Sequence, residues 1–297
     1  GRTWWDFDEN FATQAIKEAV EGYAATYGET VLYSSARNEY AITRMSRILT
    51  RTVLTLQQHL KQGSFQPDDY ELSFRFAEDL DSIHVDLSEE EKMQLKGRID
   101  RIDVSEDAEH VYVKVIDYKS GNKKFDLAAL YYGLQLQLVV YMNAAMELES
   151  RKHPDKEIVP AALLYYHIDD PTIETPVELT QEQINEEILT KLRMNGVVNS
   201  DPAVVERLDR FLQDKSKVIP VEKKKDGSFS ARSGILSREE MQLISSYVDA
   251  KIRSIGREIL DGKIVANPYE KGNEEACTYC AYKKVCGFDG KIGRAHV

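Results

Sequence analysis

The stretch Gly97-Arg-Ile-Asp-Arg-Ile-Asp103, followed after a polar connection by Val115-Ile-Asp-Tyr-Lys-Ser-Gly121, decides the fold. The residues between, Val104 to Glu109, are polar and of hairpin length, so Leu95–Asp103 and His110–Lys119 are expected to form an antiparallel hairpin. Side chains two apart on a strand share a face, so Asp117 and Lys119 project together while Ile116 and Tyr118 point to the other side.

Taken alone, a carboxylate beside an ammonium reads first as a surface ion pair that needs no function. The preceding strand adds Asp100. Asp103, three positions on, faces the opposite side from Asp100 if the strand is regular. Paired carboxylates at a strand edge suit Mg2+ or Mn2+, hard cations that take oxygen ligands and bind substrate phosphate through their remaining positions. Lys119 would then hold the attacking water or stabilise developing negative charge. Downstream, Gln137 and Tyr141 are four apart on a helical pattern and so share a face.

Working outward, residues 9–28 and Ala36 to Gln62 carry helical periodicity, each closed by glycine, Gly28 and Gly63. Tyr70, Leu72, Phe74 and Phe76 then alternate as a strand, and short strands follow at Ile83–Val85 and from Met93. Beyond Gly121 one helix is expected from Asp126 to Leu148. Pro160–Ile168 (PAALLYYHI) is an apolar run that fits a strand buried on both faces, with Tyr165, Tyr166 and His167 as core residues whose polar tips are hydrogen-bonded. Past Pro171 the pattern is helical and charged, at Gln181–Asn195, Asp201–Lys215 and Ser237–Gly262, with 222–232 having the composition of a mobile loop. The order is helices, strands, helix, strand, then a helical extension. The chain accordingly divides into 1–67, a helical start; 68–170, an α/β core; 171–265, a helical extension; and 266–297, a cysteine-containing tail.

The chain has 297 residues, 42% of them hydrophobic and 30% charged, which is the composition of a folded globular protein. Its net charge of -11 argues against phosphate attraction over the whole surface, though a local basic groove can still bind nucleic acid. No apolar run has membrane-spanning length and the N-terminus lacks a secretory signal, so a cytoplasmic location is expected. A Gly-x4-Gly-Lys-[Ser/Thr] phosphate loop is absent from the sequence. All three cysteines fall within ten residues, as Cys277-x2-Cys280-x5-Cys286, a clustering that suggests a metal rather than disulfides.

The order GRID, IDYKSG, then Gln-x3-Tyr resembles the PD-(D/E)xK nucleases of the RecB type. Together with the YYGLQLQLVVYM helix and the cysteine tail, it is similar to the C-terminal nuclease domains of the AddB family, the B subunits of bacterial AddAB helicase-nucleases. The resemblance covers roughly Asp68 to Asp289. It implies a restriction-endonuclease-like α/β core, a mixed central sheet flanked by helices. It further implies that Asp100 and Asp117 bind the metal, that Lys119 is catalytic, and that Gln137 and Tyr141 assist at the site or contact DNA. Glu71 is the candidate for a further upstream acid, although as a polar position on an alternating strand it reads also as solvated. The family's upstream metal-binding histidine has no convincing counterpart, because His59 sits where a long helix is ending.

The resemblance also implies a [4Fe-4S] cluster with one cysteine from before the core and three from the tail. Cys277, Cys280 and Cys286 match the latter three, and four thiolates are the usual complement. The sequence is therefore expected to begin after the first cysteine and the histidine helix, and 292–297 (IGRAHV) to be a vector remnant. The implied activity is Mg2+-dependent hydrolysis of single-stranded DNA unwound by a helicase/nuclease A subunit, in the processing of double-strand breaks. The alternative is a nuclease-fold domain that binds DNA without cutting it.

Overall fold

A computed structural model describes residues 3–74, 80–121, 123–175, 178–271, 274–278, 280–286, 288–289 and 294–295. Two helices come first, α1 (Glu9–Thr26), capped by Asp8, and α2 (Ala36–Gln62), capped by Ser35. They form an antiparallel pair ahead of β1 (Gln66–Ser73). Phe76, expected on that strand, lies outside the described residues. Among the described residues, the short strands β2 (His84–Asp86) and β3 (Lys92–Gln94) pair with each other and with no other strand.

The deciding hairpin is β4 (Arg98–Glu106) and β5 (His110–Lys119), antiparallel, with Ile102 opposite Val115 and Asp103 opposite Lys114. The connection is shorter than expected, because Val104 to Glu106 continue the ladder. The single helix expected over 126–148 is two, α3 (Leu127–Tyr131) and α4 (Gln137–Lys152). Gly133 between them has φ 87°, a conformation incompatible with a continuing helix. Next comes β6 (Glu157–His167), parallel to β5 and buried from Val159 to Tyr166, as an apolar run between two layers requires. Pro160 has no N–H for the ladder and sits where the β5–β6 register slips, the position in a central strand that tolerates it.

The region 171–265 supplies helices, as expected, and also two strands. α5 (Gln181–Lys191) leads to β7 (Asn195–Asn199), then α6 (Pro202–Leu208), β8 (Ile235–Leu236) and α7 (Arg238–Leu260). The helix expected to reach Lys215 stops at Leu208. The resulting sheet runs β1-β4-β5-β6-β7-β8, mixed in direction. One apolar core, with Val113, Val115, Leu138, Met142 and Val248, lies between the sheet and α4 and α7. The other, with Leu56, Ile116, Leu164, Val205 and Ile219, lies under α2 and α6. This is the expected architecture, a mixed sheet between helical layers. Among the described residues no helix is long and apolar enough to cross a membrane.

Candidate nuclease site

The parity of β5 carries through to three dimensions. Val111, Val113 and Val115 enter the core beneath α4, and Asp117 and Lys119 continue the same face past its edge. Asp117 is 1% exposed and is ion-paired through Oδ2 with the Lys119 ammonium. Burial pushes the Asp117 carboxyl above its ordinary value; Lys119 opposes the shift, the negative charge of Asp100 adds to it, and Lys123 opposes it. Asp100 is half-buried on β4, and its Oδ2 accepts the Tyr118 backbone N–H at 2.8 Å, which ties it to β5. Two carboxylates and a lysine thus come together at the open end of the hairpin.

The floor of the site comes from a residue the sequence reading assigned only to the core. Tyr165 lies beside Asp117 in the β5–β6 register. The Lys119 and Lys123 ammonium groups lie 5.6 and 5.9 Å from the centre of its ring. The expected hydrogen bond at its tip is missing, since the buried Tyr165 hydroxyl has no partner among the described residues. Burial, reinforced by Asp117, raises its pKa, so the phenol stays protonated. The apolar run PAALLYYHI hid this role, because every position in it looked like core.

The helical pair also assembles as its spacing requires. Gln137 Nε2 donates to the Tyr141 hydroxyl at 2.7 Å, one turn along α4. Tyr141 is buried and meets Phe74 edge-on, with ring centres 5.8 Å apart. Gly97 belongs to this contact: a Cβ there would stand 3.2 Å from Phe74 and 3.3 Å from Tyr141, so the glycine lets the start of β4 approach the helix. Gln135, not singled out from sequence, is buried and clamps the loop after Lys119. Its Nε2 donates to the Lys124 carbonyl at 3.0 Å and its Oε1 accepts the Asp126 N–H at 3.1 Å.

Other candidates lie elsewhere. Asp103 faces away from Asp100 as expected, fully buried, held by Lys114 at 2.7 Å and by two bonds from Arg101. Its neighbours Trp4 and Tyr70 stack near Arg101, so Trp4 is a packing residue, its indole N–H donating to the Tyr70 hydroxyl at 2.6 Å. Glu71 has φ 52° and an exposed side chain paired with Arg98 at 2.6 Å. It forms no group of three potential ligands with Asp100 and Asp117 within 4.8 Å. His59 is buried edge-on to Tyr166, in the layer under α2, across the sheet from Asp117. It cannot share a metal with that residue.

A second acidic group, unforeseen from sequence, stands at the far end of α4. Asp68, Asp69 and Glu149 each bring one carboxylate oxygen within 4.8 Å of the others, an arrangement that could hold a divalent cation. Lys152 reaches all three, at 2.9 Å from Asp69 and 2.8 Å from Glu149, with the closest bond to Asp68. Burial alone would lower the Lys152 pKa, but its bonds to Asp68, Glu149 and Asp69 raise it, so the ammonium is a fixed counter-charge. Glu149 is two turns from Tyr141, about 12 Å along the helix, so this group is separate from Asp117.

Among the described residues no group of potential metal ligands includes Cys277, Cys280 or Cys286, and Cys280 is exposed. The chain has three cysteines, one short of the usual thiolate complement.

Comparison with known proteins accords with this geometry. A family model described as the PD-(D/E)XK nuclease superfamily matches residues 7–287. The chain is similar to the ATP-dependent helicase/deoxyribonuclease B subunit of Lachnoclostridium phytofermentans, 43% identical over 94% of this chain and 23% of the relative. It is likewise similar to the protein of that name from Clostridium acetobutylicum, 38% identical over 96% of this chain and 25% of the relative. The one from Thermoanaerobacter sp. (strain X514) is 35% identical over 97% and 25%. The chain therefore spans about a quarter of the length of the curated relatives it matches.

Proposed function

We propose that this chain, which belongs to the PD-(D/E)XK nuclease superfamily, is a divalent-metal-dependent deoxyribonuclease module that hydrolyses phosphodiester bonds of single-stranded DNA. The observation that carries the reading is the convergence of Asp100, Asp117 and Lys119 over Tyr165. The donor set fits a hard cation: two carboxylates, one nearly buried and kept above its ordinary pKa, in a place where added positive charge is favourable. Asp100 and Asp117 would hold the ion, which when bound supplies charge neutralisation at the phosphate and a lowered pKa for water.

Water adds to phosphorus as the opposite P–O bond breaks, leaving a phosphate end and a hydroxyl end. Lys119, held by Asp117 and the Tyr165 ring, faces the charge that develops on a non-bridging phosphate oxygen. Gln137 satisfies the Tyr141 oxygen as an acceptor and leaves the phenol proton free to donate to phosphate. Glu71 would have to leave Arg98 to join, and its engagement there is what favours the second reading, a domain that binds DNA without cutting it. The cysteines do not fit a four-thiolate cluster within this chain, and no part of the reaction depends on one.

The relatives' printed name supports a place beside an ATP-dependent helicase. In that setting the module would cut strands delivered by a helicase/nuclease A subunit, in cytoplasmic processing of double-strand breaks. End-labelled single-stranded DNA incubated with Mg2+ or Mn2+ tests the chemistry. Cleavage should disappear in EDTA and fall at least about a hundredfold in Asp117→Ala and in Lys119→Ala. Full cleavage by both variants would sink the mechanism, and metal-independent binding without cleavage by the unmodified chain would establish the second reading.

A further inference from the structure

Four tyrosines gather where the chain leaves α3 and passes along α7. Tyr131 and Tyr247 are stacked, with ring centres 5.7 Å apart and planes 11° apart. Tyr132 meets Tyr131 edge-on at 5.2 Å and Tyr269 at 5.3 Å. The cluster is anchored to the fold, because the Tyr247 hydroxyl donates to the Tyr131 carbonyl at 2.5 Å and Leu130 next to it is buried in the core. Even so, Tyr131 is 59% and Tyr132 60% exposed. Nothing in the core requires two large rings held in order with so much of their surface in water.

Their position relates them to the catalytic end. Tyr132 is five residues before Gln137, at most about 18 Å of chain. The loop joining Lys119 to α3 carries the exposed Lys123 and Lys124, and the buried Gln135 clamps it at Lys124 and Asp126. Lys123 lies over the same Tyr165 ring as Lys119, and the Lys251 chain stands 3.2 Å from where a Gly133 Cβ would be, next to Tyr132. Ammonium side chains thus stand at both ends of this stretch, Lys123 over Tyr165 and Lys251 beside Gly133, on a molecule whose net charge is -11. Cations that follow a phosphate backbone, alternating with rings that can take bases, are the recognition chemistry of unpaired nucleic acid.

We propose that Tyr131 and Tyr132, braced by Tyr247 and Tyr269, form a base-stacking platform that holds unpaired nucleotides next to the scissile phosphate. Lys123, Lys124 and Lys251 carry the intervening backbone. This inference rests on the nuclease reading, since it takes the strand at Lys119 as its starting point. The platform selects against duplex, whose bases present no free faces, and does not select among bases, each of which has one.

The test is fluorescence anisotropy of a labelled oligo(dT) and of an abasic oligomer of equal length and charge, in EDTA so that nothing is cut. The unmodified chain should bind oligo(dT) at least about tenfold more tightly than the abasic oligomer. Tyr131→Ala and Tyr132→Ala should each lose about tenfold on oligo(dT) and little on the abasic oligomer, while Tyr132→Phe keeps the ring and the affinity. Circular dichroism confirms that each variant is folded. Equal affinity for the two oligomers, or unchanged oligo(dT) binding by the alanine variants, overturns the platform and leaves this aromatic face to a protein partner. Metal-supported cleavage by the same preparations separates the two proposals. A chain that stacks without cutting refutes the nuclease reading alone, and one that cuts without stacking refutes the platform alone.

Discussion

His59 illustrates how one side chain can be chemically available in sequence and unavailable in the fold. Near the end of a helix in a nuclease-like chain, an imidazole invites a ligand's role. The fold instead packs it beneath the sheet, where burial holds its pKa down to about 3, with the positive charges of Lys114 and Arg101 adding to the effect and the main chain of Lys217 opposing it. The native state therefore keeps His59 neutral while the unfolded chain protonates near 6.5, so the unfolded state binds more protons between those values. Stability is fully present above pH 6.5 and is lost as pH falls toward 3, by about 1.4 kcal/mol per unit. Urea unfolding at pH 7.5 and pH 5 should differ by about 2 kcal/mol more in the unmodified chain than in His59→Leu. An equal difference in both would mean that the imidazole is protonated in the native state.

Elements were legible where their period was long and unmixed. The helices α1 and α2, the hairpin of β4 and β5, and the strand β6 could all be read from alternation or 3.6-residue spacing. So could the partnership of Asp117 with Lys119 and of Gln137 with Tyr141, because each pair belongs to one element whose periodicity puts both side chains on one face. What was illegible depends on contacts between elements. The acidic group at Lys152 joins residues 68 and 149, and Tyr165 acquires its place only from parallel pairing with β5. Glu71 alternates like its neighbours and yet turns to Arg98, because a positive φ breaks the pattern at that residue. The strand β7 escaped because Asn195-Gly-Val-Val-Asn199 is too short to show a period and contains a glycine. That glycine is what admits it: Gly196 has φ 143°, and a Cβ there would stand 2.1 Å from the Leu163 carbonyl. Gly196→Ala should lower the thermal midpoint by about 5 °C or more, at a cost of about 2 kcal/mol or above. A melting curve superimposable on the original would show that β7 does not need this approach.

The whole molecule depends on its C-terminal half more than a core-plus-extension division suggests. β7 covers one edge of the apolar strand β6, β8 covers β7, and α7 packs on α4 and on β2. A chain ended after residue 180 keeps every residue of the candidate site and loses those covers. It should aggregate or elute as a mixture in size-exclusion chromatography and show no cooperative melting, because an unpaired apolar strand is a template for association. A monodisperse, cooperatively melting product would instead mark residues 1–180 as a self-sufficient core.

The same arrangement has a consequence for biosynthesis. A ribosome that has just released His167 has made the most apolar strand of the sheet, Glu157–His167, but not the one that shields its outer edge, which ends at Asn199. At about 5–20 residues per second, that edge stays open for a few seconds in every round of translation. Slow codons between the two strands would prolong the interval and fast ones shorten it, so yield in the cell becomes a matter of elongation rate as well as of native stability.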